Sequence, residues 1–285
     1  MTLKNLPADT QAFLAPAKLN LMLHITGRRD DGYHLLETVF TFVGLYDTVY
    51  VRGRGDGQIV LHTLIDGVAA EQDLSVRAAR ALQLASATDL GADLWVEKNI
   101  PMGGGLGGGS SDAATVLLAL NQLWQTQFSR EKLMELGVKL GADVPVFIFG
   151  RNSFASGIGE ILTEIDIPNQ WYVLLKPNVH VATAKIFSHK RLTRDSTPSI
   201  MRILKTTQLQ RNDMQAVVCE EYPEVGQALS ELNRFGNALM TGSGACVFLA
   251  LPSESEARKV YQQVAHKFEA YCVEGLSQHP LLEID

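Results

Sequence analysis

The chain has 285 residues, 46% hydrophobic and 20% charged, with 25 Lys and Arg against 31 Asp and Glu for a net charge of −6. That length buries most of its apolar surface without disulfide or metal staples, as one large domain or two ordinary ones, and the composition excludes a disordered chain. No long basic run speaks for nucleic acid, and no apolar run reaches the roughly 18 residues of a membrane span.

Segments 14–24, 36–43, 47–52 and 58–65 are rich in Leu, Val, Phe and Thr and read as strands, with turns at 28–32 and 55–57. Residues 73–86 carry apolar side chains at helical spacing. A short strand over 93–98 leads through Asn99 and Ile100 into a glycine tract. Segment 111–124 is apolar on nearly every side, which predicts a buried helix. A helix over about 130–140 stops at Gly141, a residue suited to helix ends. The second half predicts a strand at 171–176, helices near 199–219 and 223–234, strands at 237–241 and 246–251, a helix at 254–268 and a strand at 270–274. That order is β-α-β-β-α-β with an inserted helix, the ferredoxin-like arrangement. The halves divide within 150–170, where Gly150, Gly157, Gly159 and Pro168 cluster. Cys219, Cys246 and Cys272 lie far apart and read as reduced thiols, with neither a disulfide framework nor zinc spacing. The first seven residues lack the apolar core of a secretory leader.

Six of the 24 glycines fall within residues 103–109. The tract follows a strand and opens a helix, where glycines let the backbone approach a ligand and helix N–H groups bind an anion, most often phosphate. Ser110 and Ser111 are expected at the cap. The P-loop pattern fails because no lysine follows the last glycine. The dinucleotide pattern matches Gly103, Gly105 and Gly108, but Glu131, the acid at the right distance, starts a predicted helix instead of ending a strand. Asp112 would repel a bound triphosphate and is expected to point away from it.

In Pro16–His24, strand alternation puts Lys18, Asn20, Met22 and His24 on one face. Asp143 is the only charge in the apolar window 140–149. A cation such as Lys18 would keep it ionised; a helix-capping role needs no such partner.

Three segments together resemble the GHMP small-molecule kinases: Pro16-Ala17-Lys18-Leu19-Asn20-Leu21, the tract Pro101–Ser111, and Thr241-Gly242-Ser243-Gly244-Ala245-Cys246. Two more, Gly27–His34 and Leu140–Pro145, resemble the branch whose alcohol is a methylerythritol carrying a cytidine diphosphate. The resemblance runs from about residue 14 to about residue 275. It implies an α/β (α+β) fold of two domains: a ribosomal-protein-S5-like domain over 1–160, binding ATP and substrate, and a ferredoxin-like domain over 161–285. It implies ATP-dependent phosphorylation of the tertiary 2-hydroxyl in the non-mevalonate isoprenoid route, in the cytoplasm of a bacterium, with no membrane, nucleic acid or obligatory protein partner.

By the same resemblance Asp143 is the general base and Lys18 its charge partner. Pro101, Met102, Gly103, Gly104, Gly105, Leu106, Gly107, Gly108, Gly109, Ser110 and Ser111 wrap the ATP phosphates, and Lys98 lies near the adenine. Asn20 orients the alcohol, and Gly242, Ser243 and Gly244 close the cleft. Tyr33 and Phe187 stack on the cytosine, His34 reads its edge, and Thr183 lines the same pocket. Two departures stand out. Asp73-Leu74 occupies the place of the usual Asn-Leu near the adenine. No glutamate is evident for Mg2+, which is expected to arrive with ATP, held by phosphates, water and a tract serine. Other alcohols such as mevalonate or homoserine are the alternative, but they carry no base for Tyr33, His34 and Phe187.

Overall fold

The computed structural model describes residues 6–63, 69–198 and 211–283. Strands β1 (Gln11–Arg28) and β2 (His34–Arg54) form a long antiparallel hairpin. Its turn holds Gly32 at φ +91, a value glycine adopts without strain. β2 is one strand where the sequence pattern predicts two. The register with β1 shifts between Pro16 and Ala17, so residues 44–45 bulge out and the strand continues.

A second shift, between Asn20 and Met22, corrects the predicted face. The extra residue, Leu21, reverses the alternation beyond it, because side chains repeat every two residues. Leu23 therefore joins Lys18 and Asn20 on one cavity wall, while Met22 packs on Val39 and Phe154.

β3 (Ile59–Leu61) pairs parallel with β4 (Gly91–Glu97), which pairs antiparallel with β2. The predicted strand at 58–65 runs into residues 64–68, which lie outside the described residues. Helices α1 (Leu74–Ser86), α2 (Gly108–Leu123), α3 (Arg130–Leu140) and α4 (Val144–Phe149) follow. Asp73 caps α1, its carboxylate accepting the Ser75 N–H at 2.7 Å. α2 is buried on almost every side, as expected. α3 ends at Gly141, but with φ −179, an extended value open to any residue, so the glycine is not required there. α4 escaped the sequence reading because a six-residue, wholly apolar run has no periodicity to read. The hairpin of β5 (Ser153–Ser156) and β6 (Ile161–Glu164) attaches to β2 through β5.

The second half contains β7 (Trp171–Lys176), α5 (Thr183–Ser188), α6 (Gln215–Glu221), α7 (Pro223–Leu232), β8 (Ala238–Met240), β9 (Val247–Leu251), α8 (Glu254–Val264) and β10 (Glu269–Leu276). Of the helix predicted near 199–219, residues 199–210 lie outside the described residues. The strands run β10-β7-β9-β8, all antiparallel, which is the ferredoxin-like order. β10 also pairs with β2, Gly275 opposite Val43 and Leu276 opposite Phe42, so one sheet passes through both halves. No described helix is long and apolar enough to cross a membrane.

Besides the small cluster of Met22, Val39 and Phe154, three larger apolar clusters hold the described residues together. α1 to α4 pack on the first sheet around Phe42, Leu94, Leu117, Leu120 and Phe147. Helices of the second half pack around Val173, Val225, Leu232, Val247 and Val260. A third cluster, with Leu19, Leu106, Tyr172 and Phe248, fills the junction beneath the glycine tract.

His279, next to β10, is buried at 1% exposure. Its Nδ1 accepts the Leu281 N–H at 3.0 Å, and its ring meets Phe42 edge-on. Burial, then the nearby Arg130 charge, push its pKa down to about 3. The unfolded chain therefore binds a proton that the fold refuses. The stability from this site is complete above the ordinary histidine pKa near 6.5 and declines as pH falls toward 3. Between pH 7.5 and 5.0 the loss should be about 2 kcal/mol. Urea unfolding of the wild type and His279→Asn at both pH values measures it; equal pH dependence in the two would remove His279 as its source.

Candidate active site

The tract 101–107 is an irregular loop in which Gly103, Gly105 and Gly107 take φ of +68, +75 and +76. Gly107 is the N-cap of α2 and has no side chain to bond the helix N–H groups, which leaves them for an anion. This corrects the expected cap. Ser110 and Ser111 stand inside the first turn of α2, and the Ser111 hydroxyl is buried, donating to the Pro16 carbonyl at 2.7 Å. Leu106 is likewise turned inward as a core anchor, and its carbonyl accepts the Lys18 N–H at 3.0 Å.

The second half grips the tract from the other side. The N–H groups of Ala245 and Cys246 donate to the carbonyls of Gly103 and Gly104 at 3.3 and 3.1 Å. A Cβ at Gly105 would lie 2.4 Å from the Thr241 carbonyl, so only glycine allows this approach.

The base of the tract rests on an ion cluster. Lys98, between β4 and the tract, pairs with Asp47 and with Asp112, the latter at 2.6 Å. Asp47, on β2, also accepts the N–H groups of Asn99 and Ile100 at 2.6 and 2.8 Å. Burial lowers the Lys98 pKa, but Asp112 and Asp47 outweigh it and the net shift is upward. Burial, opposed by Lys98 and reinforced by Asp47, pushes Asp112 up to about 7. Lys98 lines the tract cavity as the centre of an ion cluster and not as a free surface cation.

Lys18 is set by its neighbours on β1 and β2. Its Nζ donates to Asn20 Oδ1 at 2.6 Å, Asn20 Nδ2 donates to Thr38 Oγ1 at 2.8 Å, and Thr38 donates to the Met22 carbonyl at 2.6 Å. Asn20 thus positions the lysine, which also faces the Phe40 ring at 5.3 Å. The Asp143 carboxylate lies 3.3 Å from the Lys18 ammonium, the lysine side chain 3% exposed and the aspartate 38%. Asp143 starts α4 without capping it. The aspartate is not desolvated as its apolar window suggested; it stands at the cavity wall.

Three cavities meet here. One of about 250 Å³ lies between the tract, Asp73 and Lys98. A second, about 270 Å³, shares Gly103, Gly105 and Gly107 with the first. The third, about 720 Å³, shares Lys18, Asp143, Thr183, Gly242 and Ser243 with the second. Thr183 and Ser243, which both line this cavity, share a hydrogen bond of 2.7 Å.

The large cavity is walled by Tyr33, His34 and Phe187. Tyr33 is 60% exposed, and the His34 ring stacks on Phe187 with centroids 4.8 Å apart. Sequence reading missed Asp47, Thr38 and Phe40, which sit in a strand with no local motif. It also missed His180, whose Nδ1 would lie 2.8 Å from a Cβ at Gly103 and which lines the middle cavity, and Arg194, which donates to His34 at 3.2 Å. Among the described residues no three His, Cys, Asp or Glu side chains converge as a metal site.

Comparison with known proteins gives this geometry a context. Residues 73–151 match the GHMP kinases N terminal domain and residues 191–270 the GHMP kinases C terminal domain. The 4-diphosphocytidyl-2-C-methyl-D-erythritol kinase of Neisseria meningitidis serogroup A is 59% identical over 274 residues, 96% of this chain and 98% of that protein. A crystal structure of 4-(cytidine 5'-diphospho)-2C-methyl-D-erythritol kinase superposes with TM-score 0.80 at 31% identity, covering 93% of this chain and 99% of the other. The Methanococcus jannaschii mevalonate kinase shares the fold at TM-score 0.69 and 13% identity, covering 94% of this chain and 99% of the other. With both halves matched and identity at this level along nearly the whole length, the chain belongs to the GHMP kinase family, within the group formed by the 4-diphosphocytidyl-2-C-methyl-D-erythritol kinases.

Proposed function

We infer that the chain transfers the γ-phosphoryl group of ATP to the 2-hydroxyl of 4-diphosphocytidyl-2-C-methyl-D-erythritol, giving the 2-phosphate and ADP in the non-mevalonate route to isoprenoid precursors. The observation that carries this reading is the chain of cavities, with Lys18 and Asp143 on the wall between the tract side and the large pocket.

ATP lies along the tract, its phosphates against the glycine backbone and the open end of α2. The methylerythritol hydroxyl reaches the Lys18–Asp143 junction from the large cavity. The hydroxyl oxygen attacks the γ-phosphorus, the bond to ADP breaks, and Asp143 accepts the hydroxyl proton. Lys18 balances charge on the transferring group. Tyr33, His34 and Phe187 hold the cytosine, and stacking of this kind is worth about 1–3 kcal/mol per base. Magnesium would come with the nucleotide and be held largely by its phosphates and water. Ser110 lines the cavity of Lys18 and Asp143 while Ser111 is bound to Pro16, which favours Ser110 as the tract serine that would hold it. The division into two domains runs between Glu164 and Trp171, because a cut at residue 160 would split the β5–β6 hairpin.

ADP release measured with ATP, magnesium and the cytidylated alcohol, beside the same alcohol without its cytidyl group, tests the reading. Turnover is expected with the first alone. Equal turnover with both would return the substrate to the alcohols that carry no base.

A further inference from the structure

Cytosine and uracil present the same ring faces for stacking, so stacking on Tyr33 and Phe187 does not tell them apart. We infer that Arg194 fixes His34 as the neutral tautomer protonated at Nδ1, so that His34 offers a base edge a hydrogen-bond donor, and that this selects cytosine over uracil. The inference deepens the proposed function and rests on it for the identity of the base.

The guanidinium decides the tautomer. Arginine carries five N–H donors in a rigid fork and no acceptor. Arg194 Nε lies 3.2 Å from His34 Nε2. Since arginine can only donate, Nε2 must present its lone pair, and the ring proton sits on Nδ1. The rest of the fork is anchored: one amino nitrogen donates to the Leu192 carbonyl at 3.1 Å, the other to the carbonyls of Phe187 and His189 at 2.9 and 2.8 Å. Arg194 therefore ties the ring of His34 to the backbone of the residue on which that ring stacks, Phe187.

The surrounding charges favour the neutral ring. Arg194 and Arg28 face His34, and of the other charged residues lining the cavity, Asp31 pairs with Arg29 at 2.7 Å while Lys18 and Asp143 pair with each other. Burial, then Arg194, then Arg28 hold the His34 pKa below the ordinary histidine value. A neutral ring with one fixed donor matches cytosine, whose N3 accepts. It opposes uracil, whose N3 carries a hydrogen. Two donors facing each other leave both unpaired, and a polar site of this kind rejects the wrong partner strongly.

Two measurements on the full chain test this. Long-range 1H–15N spectra of the free protein, with the His34 signals assigned by their loss in His34→Gln, should show protonated Nδ1 and unprotonated Nε2 at pH 7, with a pKa below the ordinary histidine value. In Arg194→Ala the Nε2-protonated tautomer should appear and the pKa of the ring should rise, since one of the charges that lower it is gone. In kinetics, Arg194→Ala should lower the ratio of kcat/KM for the cytidyl alcohol over its uridyl analogue by roughly tenfold or more. The KM for ATP should not change. A merely structural role would depress both pyrimidines alike.

Protonated Nε2 in the wild type at pH 7 would overturn the inference whatever the substrate is. So would an unchanged pyrimidine ratio in Arg194→Ala. If the wild type turned over neither alcohol while His34 gave the expected signals, the proposed function and the selectivity would fall together and the fixed tautomer would stand.

Discussion

Asp143→Asn should lower kcat by roughly 10²–10⁴-fold, the range for loss of a general base, with the KM of both substrates changed by no more than about threefold. The amide keeps the size and the hydrogen-bonding reach of the carboxylate but cannot take the hydroxyl proton. The site tolerates the change sterically because Asp143 caps no helix and its side chain is 38% exposed. ATP binding, followed by fluorescence or calorimetry, should survive, since the tract does not depend on Asp143. Turnover within about tenfold of the wild type would remove Asp143 as the base and leave Lys18 with the positioning of the substrates as the source of rate.

Lys98→Met should destabilise the protein by about 3–5 kcal/mol, the usual effect of removing one partner of a buried ion pair. Asp47 has a fully buried side chain and Asp112 a 4% exposed one, so without the ammonium both carboxylates are left uncompensated. Asp112 already lies near pH 7 in the intact cluster and would take up a proton readily. Adding Asp112→Asn to Lys98→Met should therefore recover part of the loss, a coupling that a double-mutant cycle reads directly. Urea midpoints of the four proteins measure it. A loss under about 1 kcal/mol in Lys98→Met would show that the cluster is hydrated and adds little.

The parts of the site that sequence made legible are those with local signatures. The tract is visible because six glycines wedged between a strand and an apolar helix would loosen the core unless the backbone there met a ligand. Lys18 and Asn20 are visible because polar residues on one face of an otherwise apolar strand are unusual. The order of strands in the second half was readable and led to the ferredoxin-like topology, although the six-residue α5 was too short to show a period.

What stayed hidden depends on tertiary partners. The bulge at Leu21 leaves no mark in the alternation, yet it decides that Leu23 rather than Met22 lines the cavity. Ser111 reads as a cap by residue type, but the helix begins three residues earlier and its hydroxyl finds Pro16. Asp47 looks like any polar residue on a strand until Lys98 and the Asn99–Ile100 backbone close on it. Arg194 lies in a segment with no periodicity, and its role exists only through a residue 160 positions away.

The shared strand β10 has a consequence for motion. Two domains joined by a linker can rock about it and open a cleft as rigid bodies. Here β10 pairs with β2 at its end, Gly275 opposite Val43 and Leu276 opposite Phe42, and a swing at that seam would break this pairing. Entry and exit of nucleotide then fall to what can move without tearing a sheet. The tract at 101–107 and the turn at 241–245 meet through the Ala245 N–H on the Gly103 carbonyl and the Thr241 hydroxyl on the Gly105 carbonyl, above the apolar cluster that Leu106 anchors. The slow step of a turnover cycle would in that case be the parting of two loops and not the separation of two domains.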